Sequence, residues 1–206
     1  MAIGDYTVHI VDDEEAVRKS LAFLLTMNGF AVRVHNSATD FLAFAPGSSN
    51  ACLVTDLRMP DMSGVDLLRN LQAADAMMPA IVITGHGDVP MAVEAMRAGA
   101  LDFIEKPFED QVLIEAIERA AERLVQAPSA TDDAAGVRVR LKELTEREQQ
   151  VLGAVVAGHA NKTIAYDLNI SPRTVEVHRA NVMSKMHAKS LPELVRMALA
   201  VKFGST

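Results

Sequence analysis

Polar side chains that could act together stand directly after four short apolar segments of the sequence. They are Asp12 and Asp13, Asp56, Thr84, and Lys106. Three carboxylates gathered in one place repel one another unless a hard cation lies among them, and carboxylate and carbonyl oxygens suit Mg²⁺. A lysine and a hydroxyl opposite them would suit a phosphoryl group. These residue types therefore indicate phosphoryl chemistry at a magnesium site, provided that the fold brings them together.

The apolar segments predict strands that would bring them together. Residues 51–54 form an apolar run without polar alternation, which is typical of a strand buried on both faces, and residues 6–11, 80–83 and 101–105 can be interpreted in the same way. Helical patterns separate these segments, so the strands should be parallel and their carboxyl ends should share one edge. With a short strand at 31–34, the chain begins with five βα units, an α/β doubly wound five-stranded parallel sheet of the flavodoxin-like kind.

The composition limits the class of protein. The 206 residues can hold one large or two small domains, and half of them are hydrophobic. No apolar run approaches the length of a membrane span, and the N-terminus lacks a signal-peptide pattern. The single cysteine, Cys52, excludes an internal disulfide and is best interpreted as a small core side chain. We therefore expect a cytoplasmic protein with no membrane partner.

Charge is distributed unevenly along the chain. Residues 1–125 contain nine basic and 19 acidic residues, a net charge of −10, whereas residues 138–206 contain eleven and six, a net charge of +5. An acidic first part and a basic second part indicate two domains, the second near a polyanion, although basic faces are also common on solvated surfaces. We assign residues 1–125 to the first domain, 126–142 to a partly helical linker and 143–206 to the second domain.

The second domain is predicted to be entirely α-helical. Capping boxes at 145–148 and 190–193, each a Ser or Thr followed three residues later by Glu, begin its first and last helices. Between them lie a short helix over 162–168, with Asn161 as its cap, and a longer helix over 172–186 that starts with proline. Two such helices joined by a tight turn within a four-helix domain favour a helix-turn-helix.

Both halves carry motifs of known families. The five residues at the strand ends resemble, in order and spacing, the receiver domain of bacterial two-component response regulators. The second half resembles the LuxR/NarL-type DNA-binding domain through Thr145, Arg147-Glu148, Gly158, Asn161-Lys162, Ile164-Ala165, Ser171, Thr174-Val175, His178 and Lys185. A receiver followed by such a domain is the architecture of the NarL/FixJ response regulators, and the segments 84–90 and 171–183 are most similar to the rhizobial nitrogen-fixation regulators of that family.

The resemblance implies a role for each residue of the first site. Asp56 would accept a phosphoryl group from a phosphohistidine. Asp13 and Asp56 would bind Mg²⁺ directly and Asp12 partly through water, with the backbone carbonyl of Arg58 as a further ligand. Lys106 would pair first with Asp56 and then with a phosphate oxygen. Singly, Asp12 and Asp13 could cap the next helix and Lys106 could be a surface lysine, but their joint occurrence at strand ends favours the functional role.

Thr84 and Phe103 form the switch pair that the resemblance implies. A phosphoryl group adds about −1.5 to −2 charge and three acceptor oxygens. Thr84 would donate to one of these oxygens, and Phe103 would turn into the space that the Thr84 loop vacates. Hydrogen bonds to charged groups contribute about 1.5–3 kcal/mol each, so two of them could shift a two-state equilibrium about a hundredfold or more. Phe103 could equally be a core aromatic.

One side of the longer helix should face DNA. The opposite side carries apolar residues for the core, and the free side begins at the helix N-terminus, where recognition helices enter the major groove. Arg173 suits guanine, Glu176 suits cytosine N4, and Val177 or Ala180 suits a thymine methyl. The full set of expected base and phosphate contacts is Lys162, Thr163, Arg173, Thr174, Glu176, Val177, His178, Arg179, Ala180, Asn181 and Lys185. A three-helix protein-binding module is the alternative.

The sequence therefore predicts a phosphorylation-activated transcriptional activator and not an enzyme. The expected partners are a sensor histidine kinase, promoter DNA and RNA polymerase. The resemblance implies that the kinase is of the oxygen-sensing FixL type and that the promoters are those of nitrogen-fixation and microaerobic genes. We expect the unphosphorylated protein to be a monomer in which the first domain occupies or misplaces the second. Phosphorylation should create a homodimer through the helix at 88–98 and the strand at 101–105.

Three alternatives stay open at the level of the sequence. A response regulator of the same architecture could serve another signal. A haloacid-dehalogenase-type phosphatase also uses an aspartate nucleophile with magnesium, but Asp56-Leu57-Arg58 lacks the second acid of its motif. A ligand-sensing LuxR-type regulator would need an aromatic-lined cavity, which seven Phe, two Tyr and no Trp do not supply.

Overall fold

The computed structural model describes residues 6–44, 50–76, 78–85, 88–125 and 130–203. The chain divides into two compact units, residues 1–86 with 98–127 and residues 87–97 with 128–206. No helix in these described stretches combines the length and the hydropathy needed to cross a membrane.

The first unit is built on a five-stranded parallel sheet. Its strands are β1 (Thr7–Val11), β2 (Ala31–His35), β3 (Ala51–Asp56), β4 (Ala80–Thr84) and β5 (Asp102–Glu105). They are hydrogen-bonded in the order β2-β1-β3-β4-β5, and every neighbouring pair is parallel. The predicted doubly wound parallel sheet is therefore confirmed, with each strand within two residues of its expected bounds.

Helices alternate with these strands as the sequence pattern predicts. They are α1 (Glu15–Met27), α2 (Ala38–Phe44), α3 (Gly64–Ala73), α4 (Val89–Arg97) and α5 (Asp110–Val125). Serines start two of them: Ser37 Oγ accepts from Asp40 N–H at 3.0 Å, and Ser63 Oγ accepts from Asp66 N–H at 3.1 Å. Each bond satisfies a backbone donor that the first helical turn leaves unpaired.

The core explains why polar groups collect at one edge. β4 is buried along its whole length, and β3 is buried up to Asp56, where its burial decreases. A strand covered on both faces has no place for polar side chains except at its ends. Because the strands are parallel, those ends lie at one edge of the sheet, where ligands bind in open α/β folds.

The second unit contains α4 together with the helices after residue 129. The latter are α6 (Ala130–Lys142), α7 (Glu146–Val156), α8 (Asn161–Asp167), α9 (Pro172–Met186) and α10 (Leu191–Ala200). Asn169 lies in the turn between α8 and α9 with φ +53°, a left-handed conformation that asparagine tolerates. The predicted helix-turn-helix is therefore present, and α9 buries Val175, Val182 and Met186, as its pattern indicated.

Three local expectations differ from the structure. Asn161 is the first residue of α8 and does not cap it: Ala160 occupies the cap position without a side-chain bond, and Asn161 Oδ1 accepts from Arg179 Nη1. The box at 190–193 is incomplete because the Glu193 carboxylate accepts from the N–H of Lys189 instead of the cap residue. The sequence pattern predicts helix in the linker only from residue 137, whereas the structure has helix from Ala130. Residues 126–129 lie outside the described part of the chain.

Two histidines lie inside the apolar first unit. His9 and His35, on neighbouring strands, are buried, with His9 Nδ1 and His35 Nε2 in hydrogen-bond contact at 3.0 Å and Phe41 packed edge-on against both rings. Burial, reinforced by the charges of His35 and Arg33, lowers the pKa of His9 to about 4. Burial also lowers the pKa of His35, although Asp40 opposes this. Both imidazoles are therefore neutral in the folded protein at pH 7.

We predict that His9→Gln reduces the loss of stability on acidification. Between pH 7 and pH 5 an unfolded histidine takes up a proton near pH 6.5, whereas folded His9 does not until about pH 4. Stability therefore falls as the pH falls through this window, and removing His9 should lessen the fall in unfolding free energy by about 1–2 kcal/mol. Urea unfolding of both proteins at the two pH values measures the difference. His159→Gln, at a half-exposed position, should match the wild type, and an unchanged loss in His9→Gln would contradict the prediction.

Candidate functional site

The carboxyl edge of the sheet brings Asp12, Asp56 and Lys106 into direct contact. Lys106 Nζ lies 2.9 Å from Asp56 Oδ1 and 3.3 Å from Asp12 Oδ2. The Asp12 side chain is only 4% exposed and that of Asp56 13%. Both bonds are charge-assisted and join residues far apart in the chain, so the site exists only when β1, β3 and β5 are paired correctly.

Electrostatics at this edge are dominated by the crowding of charges. Burial raises the pKa of Asp12, and the charge of Asp56 adds to the rise, while the Glu14 N–H and Lys106 oppose it without reversing it. Burial alone would lower the pKa of Lys106, but its bonds to Asp56 and Asp12 outweigh burial and raise it. The ammonium group is thus charged, and it is the counter-charge that holds two carboxylates together.

The second oxygen of Asp56 is fixed by the backbone that follows it. Arg58 N–H donates to Asp56 Oδ2 at 2.6 Å, and Leu57 N–H donates to Ile83 O on β4 at 2.9 Å. The Asp56 carboxylate is therefore held on one side by Lys106 and on the other by its own loop. These bonds give the group a defined orientation towards the open edge.

Asp13 differs from its neighbour. Its side chain is exposed, whereas Asp12 is buried. Among the residues that the structure describes, no group of three or more His, Cys, Asp and Glu side chains is already arranged to hold a metal ion. Of the three expected carboxylates, those of Asp12 and Asp56 therefore pair with Lys106, whereas that of Asp13 is exposed.

Gly64 was not predicted from the sequence to belong to this site. A Cβ added there would lie 2.4 Å from the backbone oxygen of Asp56 and 3.2 Å from the Thr55 side chain. Gly64 N–H also donates to Leu57 O at 3.0 Å. Only glycine allows α3 to begin this close to Asp56. The sequence signal was the glycine directly after the Ser63 cap.

Thr84 and Phe103 lie on neighbouring strands. β4 pairs with β5 so that Val82 is opposite Phe103 and Thr84 is opposite Glu105, which places Thr84 and Phe103 on the same face of the sheet. Thr84 is buried and its carbonyl accepts from Lys106 N–H at 2.7 Å, while Phe103 is half-buried. His86, to which the sequence assigned no role, lies outside the described residues.

The face predicted for dimerisation has partners within this chain. In the second unit Val93 and Pro90 of α4 lie beside Gly158, and Arg97 Nη2 donates to Val156 O at 2.8 Å. These groups lie on α4, which forms part of the face predicted for dimerisation. In β5, Asp102 pairs with Arg119 of α5 at 2.6 Å.

The free side of α9 begins at a well-capped helix N-terminus. Ser171 Oγ accepts from Thr174 N–H at 3.0 Å, and Pro172 is the first helical residue. The side chain of Arg173 is 85% exposed and pairs with Glu176 at 2.8 Å. Glu176, Val177, Ala180 and Asn181 are also exposed, as are Lys162 and Thr163 on α8. This surface combines donors, acceptors and small apolar groups.

Three other residues expected to touch DNA are held inside the domain. Arg179 is half-buried and donates to Asn161 Oδ1 at 2.8 Å, and burial lowers the pKa of its guanidinium. Lys185 Nζ pairs at 2.7 Å with buried Glu148. His178 is half-buried with its Nδ1 enclosed and unbonded among the described residues. Their expected DNA contacts stay predictions, but the side chains of Arg179 and Lys185 already have partners within the second unit.

Tyr166 is a surface residue that the sequence interpretation missed. Its side chain is 86% exposed on α8, four residues after Lys162. Residues four apart lie on the same side of a helix. The sequence signal that could have revealed this position is the four-residue spacing from Lys162.

Comparison with known families gives a match for each half of the chain. Residues 8–118 match the family described as response regulator receiver domain, and residues 142–198 match bacterial regulatory proteins of the luxR family. The first match contains the edge with Asp12, Asp56 and Lys106, and the second contains α8 and α9.

Whole-chain relatives and solved structures agree with this division. The chain is 75% identical to the transcriptional regulatory protein FixJ of Rhizobium meliloti (strain 1021), over 97% of this chain and 98% of that protein. It is 56% identical to the protein of the same name from Azorhizobium caulinodans, over 93% of this chain and 91% of that protein. Among solved structures, it is similar to full-length FixJ from B. japonicum, with 46% identity, a TM-score of 0.58 and coverage of 97% of this chain and 98% of that chain. It is also similar to the FixJ-N crystal structure, with 76% identity, a TM-score of 0.56 and coverage of 59% and 98%.

Gly64→Ala should slow modification of Asp56 by a small phosphodonor. The added methyl group would displace the Asp56 backbone or the start of α3, and a displacement of about 1 Å at a reacting group can cost about 100-fold in rate. Labelling with acetyl phosphate and magnesium, followed on phosphate-affinity gels, measures the rate. Gly153→Ala, where a Cβ meets nothing within 4 Å, is the control. Equal rates for Gly64→Ala and the wild type would show that Gly64 does not position Asp56.

Proposed function

The chain belongs to the two-component response regulators of the NarL/FixJ type, and on this premise we propose that Asp56 is its phosphoacceptor and that α9 reads promoter DNA. The protein is a phosphorylation-dependent transcriptional regulator. The observation that carries the site assignment is the Lys106 ammonium group, 2.9 Å from Asp56 and 3.3 Å from Asp12. We further propose a receiver at 1–125, a linker at 126–142 and a DNA-binding domain at 143–206, acting in the cytoplasm.

Phosphoryl transfer to Asp56 requires little covalent help from the protein. The carboxylate oxygen forms a bond to phosphorus while the bond from phosphorus to the histidine nitrogen of the kinase breaks. Such a transfer depends on charge neutralisation and alignment more than on acid–base catalysis. Lys106 neutralises the nucleophile before transfer and pairs with a phosphate oxygen afterwards, and the Arg58 N–H keeps the Asp56 carboxylate aligned.

Receiver domains generally bind Mg²⁺ at the phosphorylation site, and the donors of this chain fit that ion. Asp12 and Asp56 converge on one positive group, the Lys106 ammonium, and carboxylate oxygens are the donors that Mg²⁺ prefers. Asp12, Asp13, Asp56 and the backbone carbonyl of Arg58 would hold the ion. Bound there, it would neutralise charge on the transferred phosphoryl group.

Thr84 and Phe103 would transmit the phosphorylation of Asp56 to the surface of the first unit. Thr84 is buried on the face that also carries Phe103, and its carbonyl bonds the backbone of Lys106. A hydrogen bond from the Thr84 hydroxyl to a phosphate oxygen would draw this loop towards Asp56. Half-buried Phe103 would then turn into the space that the loop leaves.

The signal would reach DNA through dimerisation. In the second unit α4 uses Pro90, Val93 and Arg97 for contacts with Gly158 and Val156. A dimer through α4 and the adjacent strand requires these groups to exchange their present partners for those of a second chain. This competition supports a monomer before phosphorylation and a dimer after it. Helix-turn-helix dimers bind half-sites about 10 bp apart.

The physiological signal is proposed from the relatives. The family implies a histidine kinase as partner, and the 75% identity to a FixJ protein supports an oxygen-sensing FixL-type kinase, nitrogen-fixation and microaerobic promoters as targets, and activation of RNA polymerase there. The alternative is the same architecture with another signal, because the chain is also 42% identical to the response regulator protein TodT of Pseudomonas putida.

Asp56→Asn should abolish both phosphorylation and dimerisation. Acetyl phosphate with magnesium should place one acid-labile phosphate on the wild type and change its sedimentation from monomer to dimer, whereas Asp56→Asn should remain an unlabelled monomer. Asp75→Asn removes an acid from an exposed turn and should behave like the wild type. Lys106→Ala should accept phosphate but dimerise poorly, because its ammonium would no longer bind the phosphate. Labelling of Asp56→Asn with full transcriptional output would disprove the site, and an unmodified wild type already dimeric at micromolar concentration would disprove the dimer switch.

Arg173→Ala and Lys162→Ala should weaken DNA binding in different ways. Arg173 would contact a base edge, so its loss should reduce the preference for target over random DNA by about 1–3 kcal/mol. Lys162 would contact phosphate, so its loss should weaken binding to both DNAs alike. It should also reduce the slope of log K against log salt concentration by about one. Titration of phosphorylated protein with both DNAs at several salt concentrations separates the effects, with Lys142→Ala as a charge-matched control outside α8 and α9. Equal loss on both DNAs for Arg173→Ala would exclude base reading.

A further inference from the structure

Arg18 reaches from α1 back to the loop that carries the acidic pair. Its Nη1 donates to the backbone carbonyls of both Asp12 and Asp13, at 2.6 and 2.8 Å. Its own backbone N–H donates to Glu14 O at 3.1 Å, so the residue is fixed at both ends. None of the roles predicted from the sequence involves this side chain.

Two hydrogen bonds from one nitrogen fix two successive peptide units. The carbonyls of residues 12 and 13 are directed at the same guanidinium, which sets the backbone on both sides of Asp13. The Asp12 carboxylate is held further because its Oδ1 accepts from Glu14 N–H at 2.8 Å. The exposed Asp13 carboxylate has no comparable bond among the described residues, so its direction depends on the backbone that Arg18 holds.

We infer that Arg18 is a positioning residue for divalent-cation binding, which aims the carboxylates of Asp12 and Asp13 by fixing the two peptide units behind them. The inference rests on the proposed magnesium site. Groups that orient metal ligands typically change metal affinity by about 10–100-fold when they are removed. Arg18 acts on the ligands through their backbone and does not touch the ion.

The positive charge of Arg18 should weaken cation binding, whereas its two hydrogen bonds to the backbone should strengthen it. A cationic side chain near a cation site repels the ion, so the loss of charge alone would tighten binding. The loss of the two hydrogen bonds would weaken it. The sign of the change in Kd therefore distinguishes positioning from electrostatics. Lys19 is a matched control, because it carries the same charge on the adjacent residue, is 75% exposed and pairs only with Glu15 among the described residues.

Mn²⁺ binding to the full-length protein tests the inference without measuring activity. Electron paramagnetic resonance of free Mn²⁺, with Mg²⁺ as competitor, gives the Kd for both ions. Arg18→Ala should bind about tenfold more weakly than the wild type. Arg18→Lys keeps the charge and donor hydrogens, but its Nζ lies one bond closer to the backbone than arginine Nη1, so it should reach the two carbonyls less well and bind Mn²⁺ about threefold more weakly. Lys19→Ala should bind as the wild type does or slightly more tightly.

Each outcome has a single meaning. Unchanged or tighter binding by Arg18→Ala would overturn the inference, and an equal tightening in Lys19→Ala would assign Arg18 a purely electrostatic effect. If circular dichroism shows that Arg18→Ala is unfolded, Arg18→Lys decides the question, and unchanged or tighter binding would again overturn it. Asp13→Asn separates the inference from the proposed site. If Asp13→Asn binds Mn²⁺ as well as the wild type, the metal site itself is wrong and the role of Arg18 falls with it.

Discussion

Concentrated negative charge at the carboxyl edge of the sheet is the constraint on which the first unit depends. Asp12 and Asp56 are both largely buried and would repel each other at this distance without a counter-charge. Lys106 provides it, and it can do so only because parallel pairing brings the end of β5 to the same edge as β1 and β3. The strand order, the burial of the two acids and their neutralisation by Lys106 therefore depend on one another. A wrong strand order would leave the buried acids without their cation.

The second unit meets a different requirement, because a helix proposed to read DNA must be held in place by side chains other than those that would contact the bases. The far end of α9 is held by Lys185 on buried Glu148, and its middle is held by Arg179 on Asn161. Arg147 Nη2 donates to Leu168 O at 3.0 Å and ties α7 to the end of α8. Cationic side chains at the core flank are thus used for orientation, while the first turns of α9 remain exposed.

The sequence predicted the sheet, its order of elements and the meeting of Asp12, Asp56 and Lys106, because buried parallel strands leave a strong apolar pattern and polar ends. It did not predict the roles of Arg18 and Gly64. Their contacts are with backbone atoms, and an arginine on a helix or a glycine after a cap has the same local pattern whether or not it touches a loop. Asn161 was wrongly assigned as a cap because its side chain pairs with Arg179, eighteen residues away, which no local rule reveals.

A buried cluster of charges is usually a poor way to stabilise a fold. Removing one partner of such a cluster is costly, but replacing the whole cluster with apolar groups is often neutral or favourable. Burial raises the pKa of Asp12 even with Lys106 beside it, so the desolvation of this carboxylate is not fully compensated within the chain. An edge selected only for stability would carry apolar residues here. The proposed function explains the acids and the lysine better, because it requires Lys106 to exchange Asp56 for a phosphate oxygen and the carboxylates to bind a metal ion.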